Sequence, residues 1–183
     1  MKFLRDGVSR SRERSGQALI EFMFVGFILL FLLFGLIDFS RAISTRQTLV
    51  NLSRESANLA ARGSGDTTDA TISNAIASVI AGDAPLSIDT NGLVIISAVL
   101  NSNGYFLVTN QIMEGALSNS AISQIAPLGV GSMATMPTTA VQIPQTNQTA
   151  FVSEVFYSFQ PITPIGKLLN FTITNVLYDA AIF

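Results

Sequence analysis

Hydrophobic residues follow two patterns in the N-terminal third of the chain. Phe22 to Ile37 (FMFVGFILLFLLFGLI) is an apolar run without a charged residue. Asp38 to Arg62 contains no Pro or Gly, and its apolar residues recur at three- and four-residue intervals, which is typical of an amphipathic helix. Because nothing interrupts these two patterns, the sequence predicts one continuous helix from Gln17 to Arg62, ended by Gly63-Ser64-Gly65.

The second half of this helix has one face that is mostly apolar. We expect that face to pack against the C-terminal part of the same chain, which is the usual fate of such a stripe. The stripe consists of Phe39, Ala42, Ile43, Arg46, Leu49, Val50, Ser53, Ala57 and Ala60. The charged side chains are interpreted as a solvated face, with docking to a partner as the alternative; they are Arg46, Arg54, Glu55 and Arg62.

The patterns are shorter after the long helix. Asp69 to Ala81 has helical spacing and precedes a glycine, which predicts a second helix. Leu93 to Leu100 and Tyr105 to Thr109 are rich in strand-forming residues, and the Asn-Gly pair between them predicts a hairpin. Asn119 to Gln148 is rich in Ser, Thr, Gln, Gly and Pro, so we expect a loop there.

Two further strands are predicted near the C-terminus. Phe151 to Phe159 (FVSEVFYSF) is the first, and Gln160 to Pro164 (QPITP) ends it. Leu168 to Leu177, with its alternating FTITNV, is the second. A long helix followed by a small antiparallel sheet is an α+β fold, and we expect the helix to lie across the sheet.

The apolar run is long enough to cross a membrane. Gln17 to Ile37 supplies the ~20 residues that span ~30 Å of hydrocarbon. Residues 1–16 carry five bases against two acids, whereas from Gly63 onward one base, Lys167, stands against seven acids. This asymmetry predicts a cytoplasmic N-terminus and an external C-terminal part. A cleaved secretory signal is the alternative, although its apolar core is usually only about 7–15 residues long.

Composition excludes several kinds of chemistry. The 183 residues include neither Cys nor His, so disulfides, thiolate or imidazole metal ligands and a histidine base are excluded. There is no phosphate-binding glycine loop and no basic patch beyond the leader, so we expect no nucleic-acid partner. The pairs Asp66/Asp69 and Asp83/Asp89 lack the alternating ligands of a calcium loop. The sequence therefore predicts no enzymatic activity, cofactor or metal.

A single carboxylate, Glu21, lies at the start of the apolar run. A charge within a membrane costs about 2.5–3.5 kcal/mol near the centre and less near the edge, unless it is paired. If the chain were cut between Gly16 and Gln17, the new ammonium would lie about one helical turn from Glu21. In staggered copies, the ammonium of one chain would neutralise Glu21 of its neighbour and fix the register between them.

Asp38 follows the run directly, and two interpretations of it remain open. It can cap the juxtamembrane turn with Arg41, three residues on, as its partner. Alternatively, it contacts a neighbouring subunit. Both interpretations place Asp38 at the edge of the membrane.

The segment from Gly16 to about Gly63 resembles the TadE-like domain of the tight-adherence (Flp pilus) systems. The residues that carry this resemblance are Gly16, Glu21, Phe22, Asp38, Phe39, Arg41, Ala42, Gln47, Arg54, Glu55 and the segment from Ala57 to Arg62. The stretch GQALIE also looks like the class III signal of type IV pilins, which a prepilin peptidase cuts after glycine. Gln17 departs from the Phe that is usual after this cut.

The resemblance implies a pilin-like architecture and a minor pilin or pseudopilin-like subunit of a Tad/Flp-type pilus or secretion system, with roles in adhesion or secretion. The implied site residues are Gly16 and Gln17 for cleavage, Glu21 and Phe22 for helix register and assembly, and Asp38, Arg41, Gln47 and Arg54 for juxtamembrane helix contacts. Major Flp pilins are little more than the helix, so the additional C-terminal residues favour a minor subunit.

The implied organisation is a basic leader (1–16), a transmembrane helix (17–37), its extension (38–63) and an extracytoplasmic α+β domain (66–183). The implied partners are a prepilin peptidase, other pilin or pseudopilin subunits, an inner-membrane assembly platform and membrane lipid. We expect a single-pass inner-membrane protein whose C-terminal domain is periplasmic or extracellular, within the pilus or outside it. The alternative is a signal-anchored periplasmic binding or envelope module that keeps its leader.

Overall fold

A long N-terminal helix dominates the first third of the chain. The computed structural model describes residues 3–63, 67–82, 85–136, 144–168 and 176–183, with side chains from position 16 onward except at 165 and 168. Helix α1 runs from Phe3 to Ala61, 59 residues without interruption. The predicted continuous helix is therefore confirmed, and it also extends backward through the basic leader.

The chain divides into two compact units, and α1 contributes to both. One unit comprises Met1–Arg41 and Pro161–Ile173, and it includes the short helix α4 (Pro164–Leu168). The other comprises Ala42–Gln160 and Thr174–Phe183. The second unit contains the sheet and the hydrophobic core.

The second unit is built on a four-stranded sheet. Its remaining elements are α2 (Asp69–Ala81), α3 (Ile88–Asn91), β1 (Gly92–Ser102), β2 (Tyr105–Glu114), a 3₁₀ turn (Ala116–Asn119), β3 (Thr149–Ser158) and β4 (Val176–Ile182). The strand order is β2-β1-β3-β4, and every neighbouring pair is antiparallel. The predicted α+β arrangement of a long helix on an antiparallel sheet is confirmed.

Local sequence signals set two of these elements. Helix α2 has the predicted bounds, with Asp69 in its first turn and Gly82 at its C-terminal end. The β1–β2 hairpin turns at Asn103 (φ 54°) and Gly104 (φ 90°). Positive φ at both central residues is the backbone of a type I′ turn, for which Asn-Gly is the preferred sequence. Both predictions are confirmed.

The helix-facing side of the sheet forms the largest apolar cluster. It joins α1, α2, β1 and β3 through Leu49, Leu52, Ala60, Ile72, Ile76, Val79, Val94, Ile96, Ala98, Phe151 and Val155. The predicted packing of the α1 stripe is confirmed from Leu49 onward, but it is wrong for Phe39 and Ile43, which are 63% and 45% exposed. Phe39 belongs to the other unit, and Ile43 is in the first turn of the sheet-containing unit.

The opposite side of the sheet is covered by the chain between β2 and β3. This segment places Ile125, Ala126 and Ala134 against Val99, Val108 and Val152. An isolated bridge pairs Met133 with Leu107 on β2. Apart from that bridge, residues 120–136 and 144–148 contain turns and bends, which agrees with the predicted loop. Both faces of the sheet are therefore buried along its central strands, β1 and β3.

The C-terminal strands show how pairing overrides local pattern. Strand β3 begins two residues before the predicted Phe151 and ends one before Phe159. Of the last strand predicted over Leu168–Leu177, Val176 and Leu177 begin β4 (Val176–Ile182), residues 169–175 are outside the described residues, and the prediction is wrong for Leu168, which ends α4. The alternating residues 171–175 lie outside the described residues. Strand β4 is defined by its antiparallel register with β3, which its Ala180-Ala181 pair does not signal.

Candidate functional site

The N-terminal motif lies on an open stretch of α1. Gly16, Gln17, Glu21 and Phe22 are all exposed, and Phe22 is 77% exposed. A Cβ added at Gly16 would meet no heavy atom within 4 Å. No described part of the chain covers these residues, so a second protein can reach them.

Almost all of the apolar run that follows is exposed in the part of the chain that the structure describes. Its large side chains are 39–77% exposed, except that of Phe34, which is partly buried. An 18-residue window here has a mean hydropathy of 2.7, and none of it is buried. In the part of the chain that the structure describes, this is the one helix long and apolar enough to cross a membrane. It is consistent with a single-pass membrane protein.

Asp38 is buried, although it immediately follows this exposed run. Its side chain is 5% exposed. The carboxylate accepts hydrogen bonds from the backbone N–H of Ile162 (3.1 Å) and of Thr163 (3.4 Å) and from the Thr163 hydroxyl. The structure thus gives Asp38 a partner segment within its own chain, 124 and 125 residues further on.

Thr163 connects this contact to α4. Its Oγ1 accepts a hydrogen bond from Gly166 N–H at 3.0 Å, as a residue preceding the first turn of a helix does. Gly166 itself abuts Asp38, because a Cβ at this position would overlap Asp38 Oδ2 and Pro161 Cβ. Sequence reasoning missed this helix. The signal was present, since Thr followed by Pro is a common helix start.

The other predicted juxtamembrane residues are on the surface. Arg41, Gln47 and Arg54 are all exposed. Arg41 is one helical turn from Asp38. Burial raises the pKa of Asp38, but the hydrogen bonds from Thr163 and Ile162 and the charge of Arg41 outweigh this effect and lower the pKa. Gln47 and Arg54 are seven residues apart and therefore share one face of α1. The structure therefore places Asp38 and Arg41 in neighbouring turns of α1 and leaves Gln47 and Arg54 on a separate exposed face.

Two polar contacts that the sequence did not predict join α1 to the sheet. Ser53 Oγ donates a hydrogen bond to Asp179 Oδ2 on β4 at 2.5 Å. The hydroxyl oxygens of Ser56 and Ser153, on β3, are 2.5 Å apart and fully buried. The available signal was the presence of serines within an apolar stripe. Their partners depend on the sheet register, which the sequence did not supply.

A second unpredicted network lies on the opposite side of the sheet. Glu154 on β3 is 0% exposed, and its carboxyl accepts hydrogen bonds from Ser123 Oγ, Gln124 N–H (2.8 Å), Ile125 N–H (3.3 Å) and Tyr178 OH (3.0 Å). Burial raises the pKa of Tyr178, and the negative charge of Glu154, its hydrogen bond and the charge of Asp179 raise it further. These hydrogen bonds hold the described loop residues 120–136, here named the covering loop, against the sheet.

Neither network resembles a metal centre. Within the described ranges, no three acidic side chains gather into a group that could hold an ion. The polar groups of these networks face one another in the interior, where they satisfy hydrogen bonds. Their arrangement fixes the positions of the helix and the covering loop.

Comparison with known proteins identifies the N-terminal segment. A family model described as TadE-like protein matches residues 16–58. No curated protein and no solved structure shows significant similarity to the chain. The matched segment contains the N-terminal motif, the apolar run, Asp38 and Arg54, and it indicates a protein associated with Tad pilus systems and with partners in such a system. Residues 16–58 of this chain therefore match the TadE-like family, as the resemblance implied.

Proposed function

We propose that the chain is a minor pilin or pseudopilin-like subunit of a Tad/Flp-type pilus or secretion system. A prepilin peptidase cuts it between Gly16 and Gln17, and the subunit then assembles through its N-terminal helix. It carries out this role without catalysing a reaction. The family match over residues 16–58 supports the system, and the geometry of α1 supports the role.

The observation that carries the proposal is the exposed N-terminal part of α1. From Gly16 to Ile37, no side chain is buried by the protein itself. A soluble protein rarely leaves so many large apolar side chains uncovered. Lipid before assembly, and neighbouring helices after it, would cover this surface. We therefore place the subunit in the inner membrane, with a prepilin peptidase, other pilin-type subunits and an inner-membrane assembly platform as its partners.

Glu21 gives this surface a specific pairing position. It is exposed, four residues after Gln17 on the same helix. Cleavage would create an ammonium at Gln17, about one turn away. Within an apolar bundle, that ammonium in one subunit and Glu21 in the next would form a pair that favours one axial register.

The sheet-containing unit is suited to display outside the membrane. Its core is built from residues after Arg41 alone, so it does not need the N-terminal run in order to bury its apolar side chains. The basic leader favours a cytoplasmic N-terminus, which places this unit on the periplasmic or extracellular side. A subunit at the surface of a pilus or of its initiating complex requires this arrangement.

The direct test is the intact mass of the full chain purified from membranes after co-expression with a Tad-type prepilin peptidase. We expect a protein that begins at Gln17 and lacks residues 1–16. Gly16→Leu should block the cut. Gly7→Leu, a glycine in the same leader but outside the motif, is the matched control and should be processed normally.

A small Flp pilin in the same cells reports whether the peptidase is active. If that pilin is processed while this chain still begins at Met1, the proposed processing is wrong.

That second outcome would favour the alternative of a signal-anchored periplasmic binding or envelope module that keeps its leader. The observation consistent with this alternative is the same independent core. Such a module would remain in the membrane fraction and would be absent from purified pili.

A further inference from the structure

The contact between Asp38 and the segment 161–168, here named the juxtamembrane segment, has a consequence for membrane binding. If Gln17–Ile37 spans the bilayer, as in the proposed function, Asp38 lies where the helix leaves the hydrocarbon. The run of 21 residues would cover ~31 Å at 1.5 Å per residue, which matches the hydrocarbon thickness. Asp38 therefore marks the level of the lipid headgroups.

Hydrogen bonds hold the juxtamembrane segment at this same level. The backbone nitrogen of Ile162 is 3.1 Å from Asp38 Oδ1, and Thr163 binds both carboxylate oxygens. Gly166 abuts the same carboxylate. Since the backbone N–H groups of Ile162 and Thr163 bind Asp38 directly, Ile162 and its neighbours lie within about one helical turn, or ~5 Å, of the depth of Asp38.

The exposed side chains of the segment have the chemistry that a membrane interface favours. Ile162 is 56% exposed although it is apolar, and Lys167 is exposed as well. Lys167 is the one base between Gly63 and the C-terminus, a stretch that contains seven acids. An apolar residue beside a lone cation suits the boundary between acyl chains and lipid phosphates, because a lysine there keeps its amine among the headgroups.

We propose that the juxtamembrane segment docks on the outer lipid headgroup layer of the bilayer that α1 crosses. Ile162 enters the boundary between headgroups and acyl chains, and the Lys167 amine pairs with lipid phosphate. Asp38 acts as the positioning residue, because its hydrogen bonds hold the segment at the point where α1 leaves the membrane. This docking rests on the membrane-spanning part of the proposed function and is independent of leader cleavage.

The natural absence of cysteine allows a direct measurement on the full chain. Single variants Ile162→Cys, Leu29→Cys and Ile122→Cys would carry a nitroxide label in nanodiscs of phosphatidylcholine, with or without phosphatidylglycerol. Collision rates with oxygen and with a water-soluble nickel chelate report depth. Ile122 is the matched control, since it is an isoleucine that is 70% exposed in the covering loop.

We expect the label at Leu29 to be in the hydrocarbon, the label at 122 in water and the label at 162 between them. Water exposure at 162 equal to that at 122, with Leu29 in lipid, would overturn the docking and leave the membrane-spanning helix intact. A label at Leu29 in water would overturn both. If the protein keeps its leader and the label at 162 still contacts lipid, the proposed processing is wrong and the docking is supported.

Two substitutions test the residues separately. Asp38→Ala should move the label at 162 into water while the label at Leu29 stays in lipid. An unchanged depth at 162 would contradict the positioning role of Asp38. Lys167→Gln should lower the ratio of docked to undocked segment about fivefold in discs with phosphatidylglycerol, the factor that one basic residue contributes at an anionic surface. It should have less effect in pure phosphatidylcholine. If Lys167→Gln lowers the ratio of docked to undocked segment equally in both lipids, or in neither, the proposed role of the Lys167 charge is wrong.

Discussion

Ser56 on α1 and Ser153 on β3 face each other with hydroxyl oxygens 2.5 Å apart, and neither side chain is accessible to solvent. Ser56 also reaches the carbonyl oxygens of Leu52 (2.7 Å) and Ser53 (3.0 Å). The pair therefore lies inside the apolar interface between the helix and the sheet. Because buried hydroxyls must be hydrogen-bonded, this contact favours one register of α1 on the sheet.

This geometry predicts unequal effects of two serine substitutions. Ser153→Ala leaves Ser56 with its backbone acceptors, so we expect a loss of at most about 1 kcal/mol in the free energy of unfolding. Ser56→Ala removes the partner of a buried hydroxyl, and we expect a larger loss, about 1–3 kcal/mol. The double variant should be no less stable than Ser56→Ala alone, as a double-mutant cycle on the full chain in detergent would measure.

Equal losses from the two single variants would contradict this account. So would a double variant whose loss is the sum of the two, because additivity would mean that the hydroxyls are not coupled.

Glu154 is expected to control the order of the covering loop. Its carboxyl accepts bonds from Ser123, from the Gln124 and Ile125 amides and from Tyr178. Glu154→Ala leaves these donors unpaired in the interior, and we expect a loss of about 3 kcal/mol in unfolding free energy. Hydrogen exchange at the Gln124 and Ile125 amides should accelerate more than exchange at the β1 amides.

Glu55→Ala is the matched control, since Glu55 is an exposed glutamate on α1. It should leave stability and loop exchange nearly unchanged. Unaltered protection of the Gln124 amide in Glu154→Ala would show that the loop is held by its apolar contacts instead.

Tyr178 gives the domain a dependence on alkaline pH. Burial and the nearby negative charges of Glu154 and Asp179 raise the pKa of Tyr178 above its ordinary value of about 10. In the unfolded chain the phenol ionises near that ordinary value, so above it the unfolded state binds fewer protons than the folded state. The stability contributed by neutral Tyr178 is thus present below pH ~10 and is lost as the pH rises further.

Denaturant titrations of the full chain between pH 9 and pH 11 would measure this loss. Tyr178→Phe lacks the ionisable group, so its stability should fall less steeply over the same range. Absorbance of the folded protein at 295 nm, compared with that of Tyr178→Phe, should show no ionisation of Tyr178 near pH 10. A full tyrosinate signal from Tyr178 at that pH would contradict the shift.

Glu21 should matter for assembly and not for membrane insertion. Glu21→Ala removes a carboxylate from the apolar end of the helix, so we expect carbonate-resistant membrane association to be unchanged or stronger. Incorporation into pili, measured as the fraction of the chain in sheared filaments, should fall several-fold because the pairing partner of the new N-terminus is lost. Glu55→Ala, on the same helix, is again the matched control. Normal incorporation of Glu21→Ala would refute the pairing.

The sequence by itself determined the long helix, α2 and the first hairpin, because each depends on short-range physics. Periodicity over Asp38–Arg62, the glycine after Ala81 and the Asn103-Gly104 turn all act within a few residues. The candidate site at Gly16, Gln17 and Glu21 is likewise a linear motif followed by an apolar run. The family match over residues 16–58 confirms the TadE-like resemblance of the segment.

Only the tertiary structure decided which residues meet across long stretches of chain. The pairing of Asp38 with Thr163 spans 125 residues, and that of Ser53 with Asp179 spans 126. Neither separation leaves a local pattern. The sequence did not predict that β4 continues from Leu177 to Ile182 for the same reason, because its register depends on β3. Burial of Asp38, Ser56 and Glu154 is a property of packing. The physical reason is that hydrogen-bond partners in an interior are chosen by the folded backbone, whereas helix and turn formation is decided within each segment.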